Sequence, residues 1–139
     1  MTRSVGLLLL ASLAACSSST GPQLSFEGRS TVAATAPMDV QTVVTVRNVG
    51  DKIAWVPTST CAVPIRAFAT PERDGTPAWQ SLDPANMICL AIASVAKLAP
   101  GDYYDFRLNG TIPSSLPSGV YYLAVNIDGK LVPAGQFSK

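Results

Sequence analysis

The 139-residue chain is 47% apolar and 14% charged, with ten Lys and Arg against nine Asp and Glu and no histidine, a size that fits one domain. Balanced charge without a Lys/Arg cluster excludes binding driven by electrostatic attraction to nucleic acid or to anionic lipid. The lack of histidine excludes Ser-His-Asp and Cys-His nucleophile pairs, His-ligated zinc and His proton shuttles.

The N-terminal segment is typical of a secretory signal peptide, because Arg3 precedes an apolar run, Val5–Leu13, that is too short to span a bilayer. The run leads into Leu-Ala-Ala-Cys ending at Cys16, which resembles the bacterial lipobox. The resemblance implies diacylglycerol on the Cys16 thiol and cleavage of a signal peptide over residues 1–15. The alternative is an ordinary signal with Ala-x-Ala-type cleavage and an incidental cysteine. We expect no cofactor beyond this covalent lipid.

The residues after Cys16 predict a flexible tether, since Ser-Ser-Ser-Thr-Gly-Pro is small, polar and prone to turns. We expect a lipidated tether over 16–23 and one folded domain over 24–139. Similarity to sorted lipoproteins implies that Ser17, rather than Asp, directs the protein to the outer membrane of a two-membrane host. A host with one membrane would hold it on the outer face of the cytoplasmic membrane. Either location places the protein in the bacterial cell envelope.

Alternation of apolar and polar residues, interrupted by Gly, Pro, Asn and Asp, predicts many short strands and little helix. We expect an all-β, immunoglobulin-like antiparallel β-sandwich of about seven to nine strands. The run Leu90–Leu98 is compatible with helix as well as strand, since alanine favours helix. The candidate strands are Gln23–Gly28, Val40–Asn48, Ile53–Pro57, Val63–Thr70, Ala78–Leu82, Leu90–Leu98, Tyr103–Leu108, Val120–Ile127 and Lys130–Phe137.

Three connections are predicted to be exposed turns: Asn48–Lys52, Pro71–Gly75 and Asp128–Gly129. In the first, Asn48 and Gly50 are expected to supply positive φ angles; in the third, a two-residue Asp-Gly sequence predicts a tight hairpin. Pro64 lies inside a candidate strand and cannot donate a ladder hydrogen bond, which predicts an edge strand or a bulge.

Cys61 and Cys89 are the two cysteines that remain once Cys16 carries lipid. In an oxidising compartment they are expected to form a disulfide. A redox-active pair would have Cys-x-x-Cys spacing or a basic neighbour, and neither is present. The pair is therefore interpreted as structural.

Three segments resemble bacterial immunoglobulin-like sandwich domains: Val44–Gly50, Leu98–Asp102 and Leu116–Leu123. In such domains an early strand ends in an Asn-x-Gly-type turn, a Leu-x-Pro-Gly turn precedes a late strand, and Pro-x-Gly-x-Tyr opens the penultimate strand. The arrangement over Val40–Phe137 is similar to the family named for the bacterial intracellular proteinase inhibitor BsuPI. No inhibitory residue of that family can be transferred to this chain by position.

The immunoglobulin resemblance implies a structural corner at Tyr121, whose hydroxyl would fold back onto the preceding turn beside Gly119. Alternation places Tyr121 on the core face and Tyr122 on the opposite face. Leu123 stands where antibody domains have the second inter-sheet cysteine.

Asp102 and Asp105 form the densest polar cluster, which could act in acid-base catalysis or bind calcium. The alternative, which we favour, is that Asp102 completes a turn and Asp105 lies on a solvated strand face with Arg107. Asn109-Gly110-Thr111 matches a glycosylation sequon and is interpreted as a turn. Met38 and Met87 lack the clustering of metal ligands, so no metal site and no catalytic residue are predicted.

Trp55 and Trp79 are candidates for an exposed binding face. We expect one tryptophan to enter the core. The predicted binding face consists of Phe68, Trp79 and Tyr122.

The function expected is that of a non-catalytic interaction module, anchored to a membrane by lipid, that binds an envelope protein or another envelope component and no nucleic acid. The first alternative is a proteinase inhibitor of BsuPI-like type, with the loop Pro71–Pro77 entering a protease cleft. The second is a carboxylate-dependent enzyme, which the missing histidine disfavours. The identity of the partner and the oligomeric state stay open.

Overall fold

The computed structural model describes residues 21–83, 88–89 and 94–139, which form nine strands and no helix. Within those ranges no helix is long and apolar enough to cross a membrane. The predicted signal peptide, Cys16, Met87 and the first part of the run Leu90–Leu98 lie outside the described residues. The strands are β1 (Leu24–Val32), β2 (Met38–Asn48), β3 (Ala54–Pro57), β4 (Ile65–Phe68), β5 (Trp79–Gln80), β6 (Val95–Leu98), β7 (Tyr103–Ile112), β8 (Val120–Ile127) and β9 (Lys130–Ser138).

The strands form two main antiparallel sheets and one separate two-stranded ribbon. One sheet has the order β1-β2-β7 and the other has the order β5-β4-β8-β9. Consecutive strands 1 and 2 therefore share a sheet with strand 7, whereas strands 4, 5, 8 and 9 form the facing sheet, as in an immunoglobulin-like sandwich. The remaining pair, β3 and β6, is called the ribbon below. The fold predicted from the sequence is confirmed.

Alternation along the strands, most regular in β2, builds the core between the two sheets. In β2 the residues Val40, Val44 and Val46 are fully buried, and in β8 Leu123 and Val125 are as well. Both sheets contribute to one continuous apolar cluster. Since a one-residue shift would turn each strand's apolar set to solvent, this burial fixes the register.

The hairpin between β8 and β9 turns at Asp128 and Gly129, whose φ angles are 51° and 77°. Two consecutive positive φ angles define the turn type that the Asp-Gly sequence predicts. This prediction is confirmed.

Two expectations about local structure are wrong. Pro64 was expected to mark an edge strand or a bulge, but it lies outside the strand. The strand β4 begins one residue later, at Ile65, and lies between β5 and β8. Asn109-Gly110-Thr111 is not a turn but part of β7, where it pairs with β2. Gly110 allows close packing there, because an added Cβ would lie 2.6 Å from the Cβ atom of Ser81 and 3.1 Å from the ring of Trp79.

The connection after β2 also differs from its prediction. Neither Asn48 nor Gly50 has a positive φ angle. Gly50 is required for space instead, since an added Cβ would lie 2.4 Å from the carbonyl oxygen of Gly21. The backbone N–H of Val49 donates to the carbonyl of Gln23 at 2.8 Å. The last residues of the predicted tether therefore lie against the domain at the start of this connection.

Candidate functional site

The ribbon presents one buried face and one exposed face. Ala54 pairs with Leu98 and Val56 with Ala96, and these four point inward, three of them fully buried. Trp55 pairs with Lys97 on the outward face. The outward surface, which we call the Trp55 face, consists of Ile53, Trp55, Pro57, Val95 and Lys97.

The Trp55 face is apolar and open. The exposed fraction is 64% for Trp55, 52% for Val95 and 45% for Ile53. The ammonium of Lys97 lies 5.8 Å from the centre of the Trp55 ring, within the range of a cation-π contact. A single exposed apolar residue needs no explanation, but several together on one face are typical of an interaction surface.

The base of the ribbon is held by Asn48, which is fully buried at the end of β2. Its side-chain amide donates to the carbonyl of Lys52 at 2.7 Å and to the carbonyl of Leu98 at 2.9 Å. Its side-chain oxygen accepts from the backbone N–H of Gly50 at 3.0 Å. One side chain thus fastens the start of β3 and the end of β6 to the sandwich. The sequence pattern around Asn48 predicts a turn residue and contains no signal for this buried role.

Beyond its strands the ribbon is closed by hydrogen bonds and a disulfide. Thr58 donates to Ser94 through its backbone N–H and through its hydroxyl, both at 2.9 Å. Cys61 and Cys89, 28 residues apart in sequence, form a disulfide, which confirms the predicted pairing. The bond joins the connection after β3 to the segment that leads towards β6. The ribbon is therefore fastened at its base and at its far side.

Of the binding face predicted from the sequence, the structure removes Phe68 and leaves Trp79 and Tyr122 only partly exposed. Phe68 is 3% exposed and so offers no surface to a partner. Trp79 is half-buried, packed against the core beside Gly110. Tyr122 pairs with Phe68, and the guanidinium carbon of Arg73 lies 5.7 Å from the centre of its ring. Of the two tryptophans, Trp55 is the exposed one.

The loop proposed to enter a protease cleft is folded onto the sheet through Arg73. The Arg73 Nε–H donates to the carbonyl of Leu123 at 3.0 Å, where the pairing of β8 with β9 is irregular. A second guanidinium nitrogen lies 3.4 Å from the carbonyl oxygen of Gly135. The backbone N–H of Arg73 closes a tight turn onto Thr70. This conformation gives no support to insertion of an extended inhibitory loop.

The carboxylates of the predicted polar cluster are engaged in local contacts. Asp102 accepts from the backbone N–H of Ala99 at 3.0 Å and completes the turn before β7. Asp105 accepts from the hydroxyl of Thr45 at 2.7 Å on the outer face of the sheet and lies 3.5 Å from Arg107. Within the described ranges no group of three or more Cys, Asp or Glu residues is placed to hold a metal ion.

The corner at Tyr121 lies at the opposite end of the sandwich from Asn48. The Tyr121 hydroxyl donates to the carbonyl of Pro117 at 2.9 Å, and the side chain is 6% exposed. Its ring stacks on Phe137 with 5.4 Å between ring centres. Gly119 does not have a positive φ angle, and an added Cβ there would make only ordinary contacts with the Tyr121 ring. The chain does bend at Ser118 and Gly119, as expected, but the bend does not require a glycine.

A shallow apolar groove of about 590 Å³ also lies at the Tyr121 end, lined chiefly by Pro37, Met38, Ile112, Pro113 and Lys139. The Lys139 ammonium donates to the carbonyls of Pro113 and Ser114 at 3.0 and 2.7 Å. Its charge is thus used to order the turn that borders the groove.

The fold and the site together define an immunoglobulin-like β-sandwich with a two-stranded ribbon that exposes one tryptophan. No known protein family and no curated protein matches the sequence. Among solved structures, the chain is similar to β-glucosidase 3B from Thermotoga neapolitana in complex with α-D-glucose, with 15% identity and a TM-score of 0.44. The match covers 83% of this chain and 16% of the glucosidase. A likeness this weak assigns no function to the chain.

Proposed function

We propose that the protein is an exported lipoprotein whose β-sandwich acts as a non-catalytic binding module, anchored to a membrane of the cell envelope through lipid on Cys16. The N-terminal sequence supports the anchor, because a short apolar run ends in Leu-Ala-Ala-Cys and is followed by a polar tether. The paired Cys61 and Cys89 support export, since disulfides persist in oxidising compartments.

The observation that carries the binding role is the exposure of Trp55. Tryptophan is enriched among the residues that dominate binding energies, because its large ring loses much contact with water when a partner covers it. Here the ring is 64% exposed on a ribbon held by Asn48 and by a disulfide. A fastened ribbon loses little conformational freedom on binding, which favours affinity.

The non-catalytic part of the proposal is supported by the state of the polar groups. The chain has no histidine, and Asp102 and Asp105 are committed to a turn and to a strand-face hydrogen bond. Neither carboxylate is arranged with a partner that would activate it as an acid or a base.

Photo-crosslinking in the native envelope tests the binding role. A photoreactive aromatic residue is placed at position 55 of the full chain, and the control carries it at Val120, which is 47% exposed at the Tyr121 end. We expect a defined adduct from position 55 and none from position 120. Equal labelling from both positions would overturn the assignment of the Trp55 face.

The lipid anchor is tested by Cys16→Ser. The variant should remain an uncleaved precursor, because lipid transfer to the thiol precedes cleavage of a lipoprotein signal. Radiolabelled palmitate should enter the wild-type chain and not the variant. Equal incorporation into both would refute the lipobox interpretation, since Cys61 and Cys89 are paired and offer no free thiol.

A further inference from the structure

We infer that the Trp55 face is covered by the lipid–water interface of the same membrane that holds the anchor. This inference rests on the proposed lipidation of Cys16. Trp55 would then orient the domain on the bilayer instead of capturing a second protein. Three observations carry the inference: where the N-terminal segment leaves the domain, how short the remaining tether is, and which side chains surround Trp55.

The N-terminal segment leaves the domain beside the base of the ribbon. Gln23 is bonded to Val49, and Gly21 lies against Gly50 so closely that an added Cβ at Gly50 would clash with its carbonyl. The same connection continues to Lys52, whose carbonyl is bonded to the Asn48 amide, and then enters β3. We call the end of the sandwich that contains Asn48, Gly50 and the start of β3 the tether end. The Trp55 face therefore lies at the tether end.

The tether is too short to place the domain far from the bilayer. The chain from Cys16 to Gly21 spans at most about 18 Å when fully extended. By contrast, β2 has 11 residues, so the sandwich extends about 37 Å along that strand from the tether end. With lipid on Cys16, the tether end is held close to the headgroups and the Tyr121 end points into solvent.

The side chains at the tether end suit an interface between water and lipid. Trp and Tyr prefer the headgroup level, and Lys can lay its apolar stem along the interface while its ammonium stays hydrated. At this end the Lys97 ammonium lies over the ring of Trp55, and the guanidinium of Arg47 lies over the ring of Tyr103, which is 57% exposed. Val49, 55% exposed, adds apolar area at the same end of the sandwich.

Formal charges at this end nearly balance, which specifies the kind of membrane contact. The basic residues are Arg47, Lys52, Lys97 and Lys130, and the acidic residues are Asp51, Asp102 and Asp128. Attraction to anionic lipid requires a cluster of uncompensated positive charge. The contact is therefore expected to depend on aromatic and apolar partition and to form equally well on zwitterionic phosphatidylcholine.

Fluorescence quenching by brominated lipid tests the inference, because the chain has two tryptophans. The full lipidated protein is reconstituted into phosphatidylcholine vesicles containing dibromo-phosphatidylcholine. Trp79→Phe leaves Trp55 as the reporter, and Trp55→Phe leaves Trp79. Trp79 packs beside Gly110, which lies about 23 Å along β7 from Tyr103 at the tether end, and so serves as the distant control.

We expect brominated lipid to reduce Trp55 emission roughly twofold, as for a ring at headgroup level, and to leave Trp79 emission unchanged. Replacing part of the phosphatidylcholine with phosphatidylglycerol should not alter the quenching. Unquenched Trp55, equal quenching of both tryptophans, or quenching that requires phosphatidylglycerol would each overturn the inference.

Two further readouts separate this inference from the proposed function. Mass spectrometry of the N-terminal peptide reports whether Cys16 carries lipid; an unmodified Cys16 overturns the anchor itself and the inference with it. The photo-crosslink replaces Trp55 itself with a photoreactive aromatic residue and leaves Trp79 in place. A lipid adduct supports both proposals, whereas a protein adduct supports the binding module and overturns the membrane contact.

Discussion

Tyr121 and Trp55 are aromatic residues on strands at opposite ends of the molecule, and different interactions stabilise their surroundings. Tyr121 is 6% exposed between two sheets, and its hydroxyl closes a corner. Trp55 is 64% exposed on a ribbon of two four-residue strands. The sandwich around Tyr121 is stabilised by apolar burial, whereas the ribbon buries only its inner face, through Ala54, Val56 and Leu98, and depends in addition on the amide of Asn48 and on one disulfide. A region held by few specific bonds can leave its outer face uncovered for a partner.

Among the changes that test this comparison, loss of the disulfide should lower stability most. Replacing Cys61 and Cys89 together by alanine should lower the free energy of unfolding by about 3.5 kcal/mol, the chain-entropy value for this loop length. Urea unfolding of the detergent-solubilised full chain measures the change. Reducing agent should destabilise the wild type by a similar amount and leave the variant unaffected. An unchanged urea midpoint would mean that the ribbon does not depend on the cross-link.

Asn48→Ala should have the second-largest effect, lowering the free energy of unfolding by about 2–3 kcal/mol, because the buried carbonyl of Leu98, the carbonyl of Lys52 and the N–H of Gly50 lose their partner. The matched control is Asn109→Ala on the exposed face of β7, which should change stability by less than about 0.5 kcal/mol. If the two alanine variants unfold at the same urea concentration, Asn48 does not hold the ribbon.

Tyr121→Phe removes only the hydroxyl that bonds to Pro117 and should cost about 1 kcal/mol, without a change in the far-UV spectrum. Tyr122→Phe should cost much less, because Tyr122 lies on the opposite face of β8. Denaturant unfolding of both variants compares them directly. A reversed order of the two costs would show that the faces of β8 are exchanged.

Trp55→Ala should have the smallest effect on stability, less than about 0.5 kcal/mol, because the ring covers little of the core. Trp79→Ala should cost clearly more, since that ring packs against the core cluster beside Gly110. Thermal unfolding of the two variants provides the comparison. Should Trp55→Ala destabilise the protein as much as Trp79→Ala, the ring has a structural role and its exposure no longer argues for binding.

Features that depend on neighbours in the sequence were predictable. Alternation located nine strands, although β1 and β7 extend further than expected and β4 is shorter. The Asp128-Gly129 sequence predicted its own turn, because two consecutive positive φ angles suit few residues. The pairing of Cys61 with Cys89 followed from elimination, once Cys16 was assigned to lipid.

The binding face could not be predicted in the same way. Alternation states which residues of one strand share a face, but it does not state whether another segment covers that face. Phe68 and Trp79 were expected to be exposed, yet Phe68 is buried and Trp79 packs beside Gly110. Trp55 had an equally strong signal, since it alternates with the apolar Ala54 and Val56.

The sequence by itself determined the strand pattern, the β8–β9 hairpin and the disulfide, because each depends on local backbone preference or on a small set of possible partners. Only the tertiary structure decided the roles of Asn48, Arg73 and Trp55. Asn48 reaches a carbonyl 50 residues away at Leu98, and Arg73 reaches one equally distant at Leu123. Such contacts arise from how the sheets and connections pack, and a linear pattern of polar and apolar residues does not contain that information.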